Sequence, residues 1–146
     1  MIKAKDLRIG DLVIVNENCS LEQGTIGKVS EVRSTPLYKE NEGSIGLKPI
    51  SNDRWPWGVL CRNIDPIPLT PEILEKNGWK KRTEGWYFMM ISKYMYLSVE
   101  FGYENGIRVF LKRATDGLYV KLNIANNVHE LQHILWVLGK DANLKV

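Results

Sequence analysis

Both histidines of the chain fall within the stretch VHELQHILW, residues 128–136, with a glutamate directly after the first. On a helix, His129 and His133 are one turn apart and turn their imidazoles toward one point. Glu130 then stands where a general base would act on metal-bound water. The chemistry offered by this spacing is zinc-dependent hydrolysis, and it requires a third protein ligand. No histidine remains to supply one, Asp141 is the only later acidic residue, and Trp136 sits where the longer form of the motif has glycine. Glu100 or Glu104 could close the site from upstream, but no spacing singles either out. The expectation is no metal ligand and no catalytic residue. A zinc hydrolase built on His129, Glu130 and His133 is kept as the alternative.

The same residues also have a structural purpose. Advancing about 100° per residue, Val128, Leu131, Ile134, Leu135 and Leu138 form one helix face, with His129, Gln132, His133 and Trp136 opposite. Asn127 is placed to cap the helix, Glu130 to complete a capping box, and Gly139 to end it. No phosphate-binding loop or dinucleotide fingerprint occurs, and no cofactor is expected.

A second constellation comes from period-2 alternation between residues 86 and 123. Met95, Leu97, Val99 and Phe101 point one way, as do Ile107, Val109, Leu111 and then Leu118, Val120, Leu122. These are expected to lie under the helices. The opposite face then carries Tyr94, Tyr96, Arg108, Phe110, Lys112, Tyr119 and Lys121. Rings interleaved with cations on an open antiparallel sheet suit single-stranded nucleic acid, because bases stack on the rings while phosphates meet the charges. The same face also suits packing on another domain or on a second copy of the chain, giving a homo-oligomer, or plain solvent exposure, since such rings favour strands whatever the function. A further candidate contact is the loop NDRWPWG (52–58), where Arg54, Trp55 and Trp57 surround a rigid proline. It suits protein recognition, or it closes the end of a barrel.

The elements that must position these residues fall into two groups. DLVIV, TIGKVSEV, SIGLKPI and WGVLC are short, β-rich and separated by turn residues, which predicts a small bent barrel over 1–67. The three prolines of NIDPIPLTPE (63–72) exclude a central strand and mark a domain junction. Thr70, Pro71 and Gly78 then frame a short helix. Four strands, WYFMMI, YMYLSVEF, IRVFLK and LYVKLN, precede the last helix. Residues 68–146 therefore read as an α-β-β-β-β-α domain with a four-stranded antiparallel sheet, and the whole chain as α+β.

Of 146 residues, 44% are hydrophobic and 25% charged, the balance of a folded chain. The net charge of +3 is too small to imply a polyanion partner by itself. Residues 1–67 carry nine basic and nine acidic side chains, however, so the whole excess lies beyond residue 67. Lys76, Lys80, Lys81 and Arg82 cluster there. Cys19 and Cys61 lack the spacing of a metal knuckle and suggest no disulfide scaffold. No apolar run is long enough to span a bilayer and the opening residues do not read as a signal peptide, so a cytoplasmic location without membrane contact is expected.

GDLVIV followed by GTIGKV resembles the opening of SH3-like barrels, including the KOW type of ribosome- and RNA-polymerase-associated proteins. LRIGD, IDPIPLTPEILEKNGW and VHELQHILWVLG, in that order, resemble small phage- and prophage-encoded proteins of Bacteroidetes. This second resemblance covers roughly a third of the chain. It implies a phage or mobile-element origin and no particular activity. Similar proteins often read VHQLQN at the last helix, with amides in place of Glu130 and His133. The expectation for the chain as a whole is a non-enzymatic accessory protein that binds a macromolecule. Nucleic acid is the partner expected from the residues, and a protein-protein adaptor is the alternative.

Overall fold

The β-branched runs of the N-terminal part form strands, as their composition favours. The computed structural model describes residues 2–17, 19–33, 43–51 and 55–146. The chain divides into two compact units, Met1–Ile67 and Pro68–Val146. In the first, β1 (Leu12–Val15), β2 (Ile26–Arg33), β3 (Ser44–Pro49), β4 (Trp57–Leu60) and β5 (Ile64–Pro66) form one antiparallel sheet. Its order is β4-β3-β2-β1-β5. The sheet does not close on itself, since β4 and β5 are its two edges, so the expected barrel is not completed by strand pairing.

Alternation along the strands sends Val13, Val15, Val29, Ile45 and Leu47 into one core with Cys61 and Ile64. Gly27 makes part of that packing possible: a Cβ there would lie 2.5 Å from Leu47 Cγ. The proline-rich junction does form a strand, but an edge one of three residues, with Pro66 opposite Val13. An edge is where a residue without an N–H is tolerated.

The second unit contains α1 (Pro71–Lys76), β6 (Lys80–Thr83), β7 (Trp86–Met90), β8 (Met95–Glu100), β9 (Arg108–Arg113), β10 (Tyr119–Ile124) and α2 (Val128–Val137). The strands form an antiparallel meander ordered β10-β9-β8-β7-β6. The sheet thus has five strands where the sequence suggests four. The additional one, β6, reads Lys-Lys-Arg-Thr and is exposed at every position, so it has no apolar alternation to announce it. Among the described residues it is an edge strand, paired with β7.

Both helices begin and end on the signals the sequence carries. The Thr70 side chain accepts from Ile73 N–H, Pro71 occupies the first turn, and Gly78 follows at φ +80°. At α2 the Asn127 N–H donates to Glu130 Oε2 at 2.9 Å within a capping box, and Gly139 follows at φ +65°. Leu74, Leu131 and Leu135 are buried, as are Tyr87, Leu97, Val99 and Val109 on one face of the sheet. Tyr87 also donates its hydroxyl to Glu75 of α1 at 3.2 Å. The helices accordingly cover that face. No described helix is long and apolar enough to cross a membrane.

Two expectations about burial are corrected. The hidden arc of α2 comprises Val128, His129, Leu131, Gln132 and Leu135, rotated away from Ile134 and Leu138. At Gln132 the cause is the segment after the helix: Gln132 Nε2 donates to Ala142 O at 2.8 Å, and the segment is tied down further on where Asn77 exchanges two hydrogen bonds with the Lys145 backbone. His129 and Gln132 both lie inside, not on a solvated polar face. Leu118 and Val120, expected beneath the helices, are each 62% exposed, because β10 is the outer edge of the sheet.

Candidate nucleic-acid interface

The face opposite the helices is built by the register of the meander. Tyr96 of β8 pairs with Lys112 of β9, which pairs with Tyr119 of β10. One row along, Ser98 pairs with Phe110, and Phe110 with Lys121; a third row sets Glu100 against Arg108. On the other side of β8, Met90, Phe88 and Trp86 of β7 continue the same three rows. Side chains in one row share a face because every strand alternates with period 2. Register therefore brings six of the expected residues, Tyr96, Arg108, Phe110, Lys112, Tyr119 and Lys121, onto one surface. Tyr94 lies in the turn before β8, 54% exposed, with Lys93 Nζ 5.3 Å from its ring centroid.

Lys112 is the centre of this surface. Its Nζ lies 4.4 Å from the Trp86 ring, 5.0 Å from Phe110 and 5.8 Å from Tyr119, and it pairs with Glu100 Oε1 at 2.5 Å. Both partners are largely buried, with side-chain exposures of 15% and 14%. Glu100 also accepts from the Tyr103 hydroxyl and the Ser98 hydroxyl, each at 3.0 Å, and Ser98 in turn accepts from the Trp86 indole N–H. Burial alone would raise the Glu100 carboxyl. The hydrogen bonds from Lys112, Tyr103 and Ser98, with the lysine charge, outweigh it and hold the group below the ordinary carboxylate range. The same contact raises the Tyr103 phenol, chiefly through its hydrogen bond to Glu100.

The rings differ in what they offer. Phe110 is only 8% exposed and meets Tyr119 edge-on at 5.6 Å between centroids. It is a support, not a stacking surface. Tyr119 is 65% exposed and is the accessible ring of the row. Phe88 and Tyr96 form a second edge-on pair at 5.9 Å. Arg108 lies 3.7 Å from the Tyr103 centroid, and Arg82 lies 4.6 Å from that of Trp86. Trp86, Ser98, Glu100 and Tyr103 are absent from the residues expected here, and Arg82 is expected only within the basic cluster of Lys76, Lys80 and Lys81. Once the GYENG hairpin is paired, its register sets Glu100 opposite Arg108, which is the signal that could have found the carboxylate.

The histidine pair has a different setting. The two rings lie 5.8 Å apart at 77°, and His129 is only 5% exposed. Both nitrogen donors of Asn127, backbone and side chain, point at the same Glu130 oxygen. Among the described residues no group of three or more His, Cys, Asp or Glu side chains could hold a metal ion. Of the two upstream carboxylates considered for such a site, Glu100 belongs to the Lys112 cluster. In the first unit, Trp55 is 90% exposed and Trp57 42% exposed, while Arg54 lies outside the described residues. No protein-family model matches the chain, nor does any curated protein or any solved structure. What the face can bind must be read from its own chemistry.

Proposed function

We propose that this is a non-catalytic accessory protein of phage or mobile-element origin that binds single-stranded nucleic acid through the open face of its second sheet. The observation that carries this reading is the row Tyr96-Lys112-Tyr119 beside the row Phe110-Lys121, an alternation of ring and cation across three adjacent strands. Bases stack on exposed rings whatever their identity, and cations spaced between the rings meet the backbone. Tyr119 supplies the stacking surface, Lys121 and Arg108 the charge, and the excess of basic residues beyond residue 67 gives the polyanion a favourable field. A non-catalytic role is supported by Glu130, whose carboxylate serves the capping box instead of facing a metal-bound water.

The test is fluorescence anisotropy of a labelled mixed-sequence oligonucleotide with the protein and its Tyr119→Ala variant. Weaker binding by the variant, with unchanged circular dichroism, is the expected result. Equal binding would remove this face from the reading. For the first unit we propose an SH3-like arrangement, supported by a last strand that returns beside the first after the 3-10 turn Cys61–Asn63. There the exposure of Trp55 favours a second, protein-binding role for the loop. Loss of nucleic-acid affinity in Trp55→Ala would instead assign the loop to the nucleic-acid site.

A further inference from the structure

The two edges of the second sheet are protected very differently. Edge strands expose unpaired backbone groups, and charged side chains are one means of keeping other chains away. At one edge, β6 carries Lys80, Lys81 and Arg82, all exposed. At the other, Leu118, just before β10, and Tyr119 and Val120 within it are each more than 60% exposed, and the only charge of β10 is Lys121. Leu118 O accepts from Arg113 N–H at 2.8 Å. Alternation along an antiparallel strand then turns the Val120 backbone groups inward to β9 and those of Tyr119 and Lys121 outward. Beyond a register shift between Lys121 and Asn123, Ile124 N–H is taken by the Asn123 side chain at 2.9 Å. The stretch open to pairing is thus 118–122, centred on Val120.

We infer that β10 pairs antiparallel with β10 of a second copy of this chain about a two-fold axis at Val120, making one continuous ten-stranded sheet. The stretch is self-complementary in that register. Tyr119 of each copy faces Lys121 of the other as a hydrogen-bonded pair, and the ring-cation alternation of rows Tyr96-Lys112-Tyr119 and Phe110-Lys121 continues without interruption into the partner. On the opposite face Val120 meets its own copy, and Leu118 meets Leu122, so the apolar side chains left exposed at this edge gain a partner. Any one-residue slip would exchange the two faces and set the apolar row against the polar one. The inference holds whatever ligand the aromatic face takes.

Sedimentation equilibrium of the full chain and of Val120→Lys tests it. Val120 is exposed, so the variant keeps its fold while setting two ammonium groups face to face on the axis. The expected result is a dimer at about 100 μM for the native chain and at least a tenfold weaker association for the variant, with the same circular dichroism. Register is checked by cross-linking in a Cys19→Ser background with oxidised glutathione as the oxidant. Val120→Cys should link two chains, because directly opposed residues at a non-hydrogen-bonded site bring their Cβ atoms within disulfide reach. Leu118→Cys should not, because its counterpart in the partner is Leu122. A monomeric native chain, a dimer indifferent to Val120→Lys, or linking at 118 in preference to 120 would each overturn the inference.

Discussion

Replacing Glu100 by glutamine should weaken the protein and strengthen its grip on nucleic acid. Glu100 is the acceptor for Lys112, Tyr103 and Ser98 in the middle of the open face, with only 14% of its side chain exposed. Glutamine keeps one acceptor oxygen but loses the charge that makes the lysine contact strong. The stability lost is about 2 kcal/mol, the scale of one hydrogen bond to a charged group. Because the folded carboxyl lies below its ordinary range, its contribution is fully present above the unfolded value and disappears as pH falls through the folded one. Urea titrations of the two proteins should therefore differ at neutral pH and converge in acid.

Binding should move the other way. The substitution removes the negative charge at the centre of the face and leaves Lys112, held among Trp86, Phe110 and Tyr119, to meet a phosphate. One added phosphate contact worth about 1 kcal/mol tightens Kd roughly fivefold. It also steepens the slope of log K against log salt by about 0.7 for a single strand. Anisotropy titrations across a salt series read both quantities. A variant that is destabilised and binds no more tightly than the native protein would mean that Lys112 serves the fold alone.

The accessible ring should matter more than the buried one. Tyr119→Ala should weaken single-strand binding by about 1–3 kcal/mol, roughly five- to 150-fold in Kd, while losing only about 1 kcal/mol of stability with the edge-on contact to Phe110. Gly106→Ala should destabilise the second unit by about 2 kcal/mol: the residue sits at φ +99°, and a Cβ would come within 2.3 Å of Asn126 Oδ1, the acceptor for Ile107 N–H. Denaturant unfolding measures that loss. Asn127→Ala should cost about 1 kcal/mol by removing the α2 cap, read as faster hydrogen exchange in the first turn of the helix.

What was legible in the sequence was local. Thr70, Pro71 and Gly78, and likewise Asn127, Glu130 and Gly139, announce helix ends because each acts on backbone groups within a few residues. The strands β1–β4 and β7–β10 are visible because their apolar residues alternate or run together. β6 is invisible because Lys80, Lys81, Arg82 and Thr83 bury nothing. The orientation of α2 could not be read from its own periodicity, since Gln132 is held by Ala142, in a segment after Gly139 that carries no periodic signal. Glu100 could be considered only as a distant zinc ligand until the pairing of β8 with β9 set it beside Lys112. Leu118 and Val120 follow the apolar alternation faithfully, but alternation does not reveal that the sheet ends at β10.

The most direct measurement is an anisotropy titration of the full chain with mixed-sequence single-stranded DNA and RNA and with a duplex of the same length, at low and at physiological salt. Single strands should bind at micromolar concentration, more weakly as salt rises, and the duplex, whose bases cannot reach the rings, should bind more weakly still. No single-strand binding even at low salt, or tighter binding of the duplex, would contradict the proposal that the Tyr96-Lys112-Tyr119 row receives nucleic-acid bases.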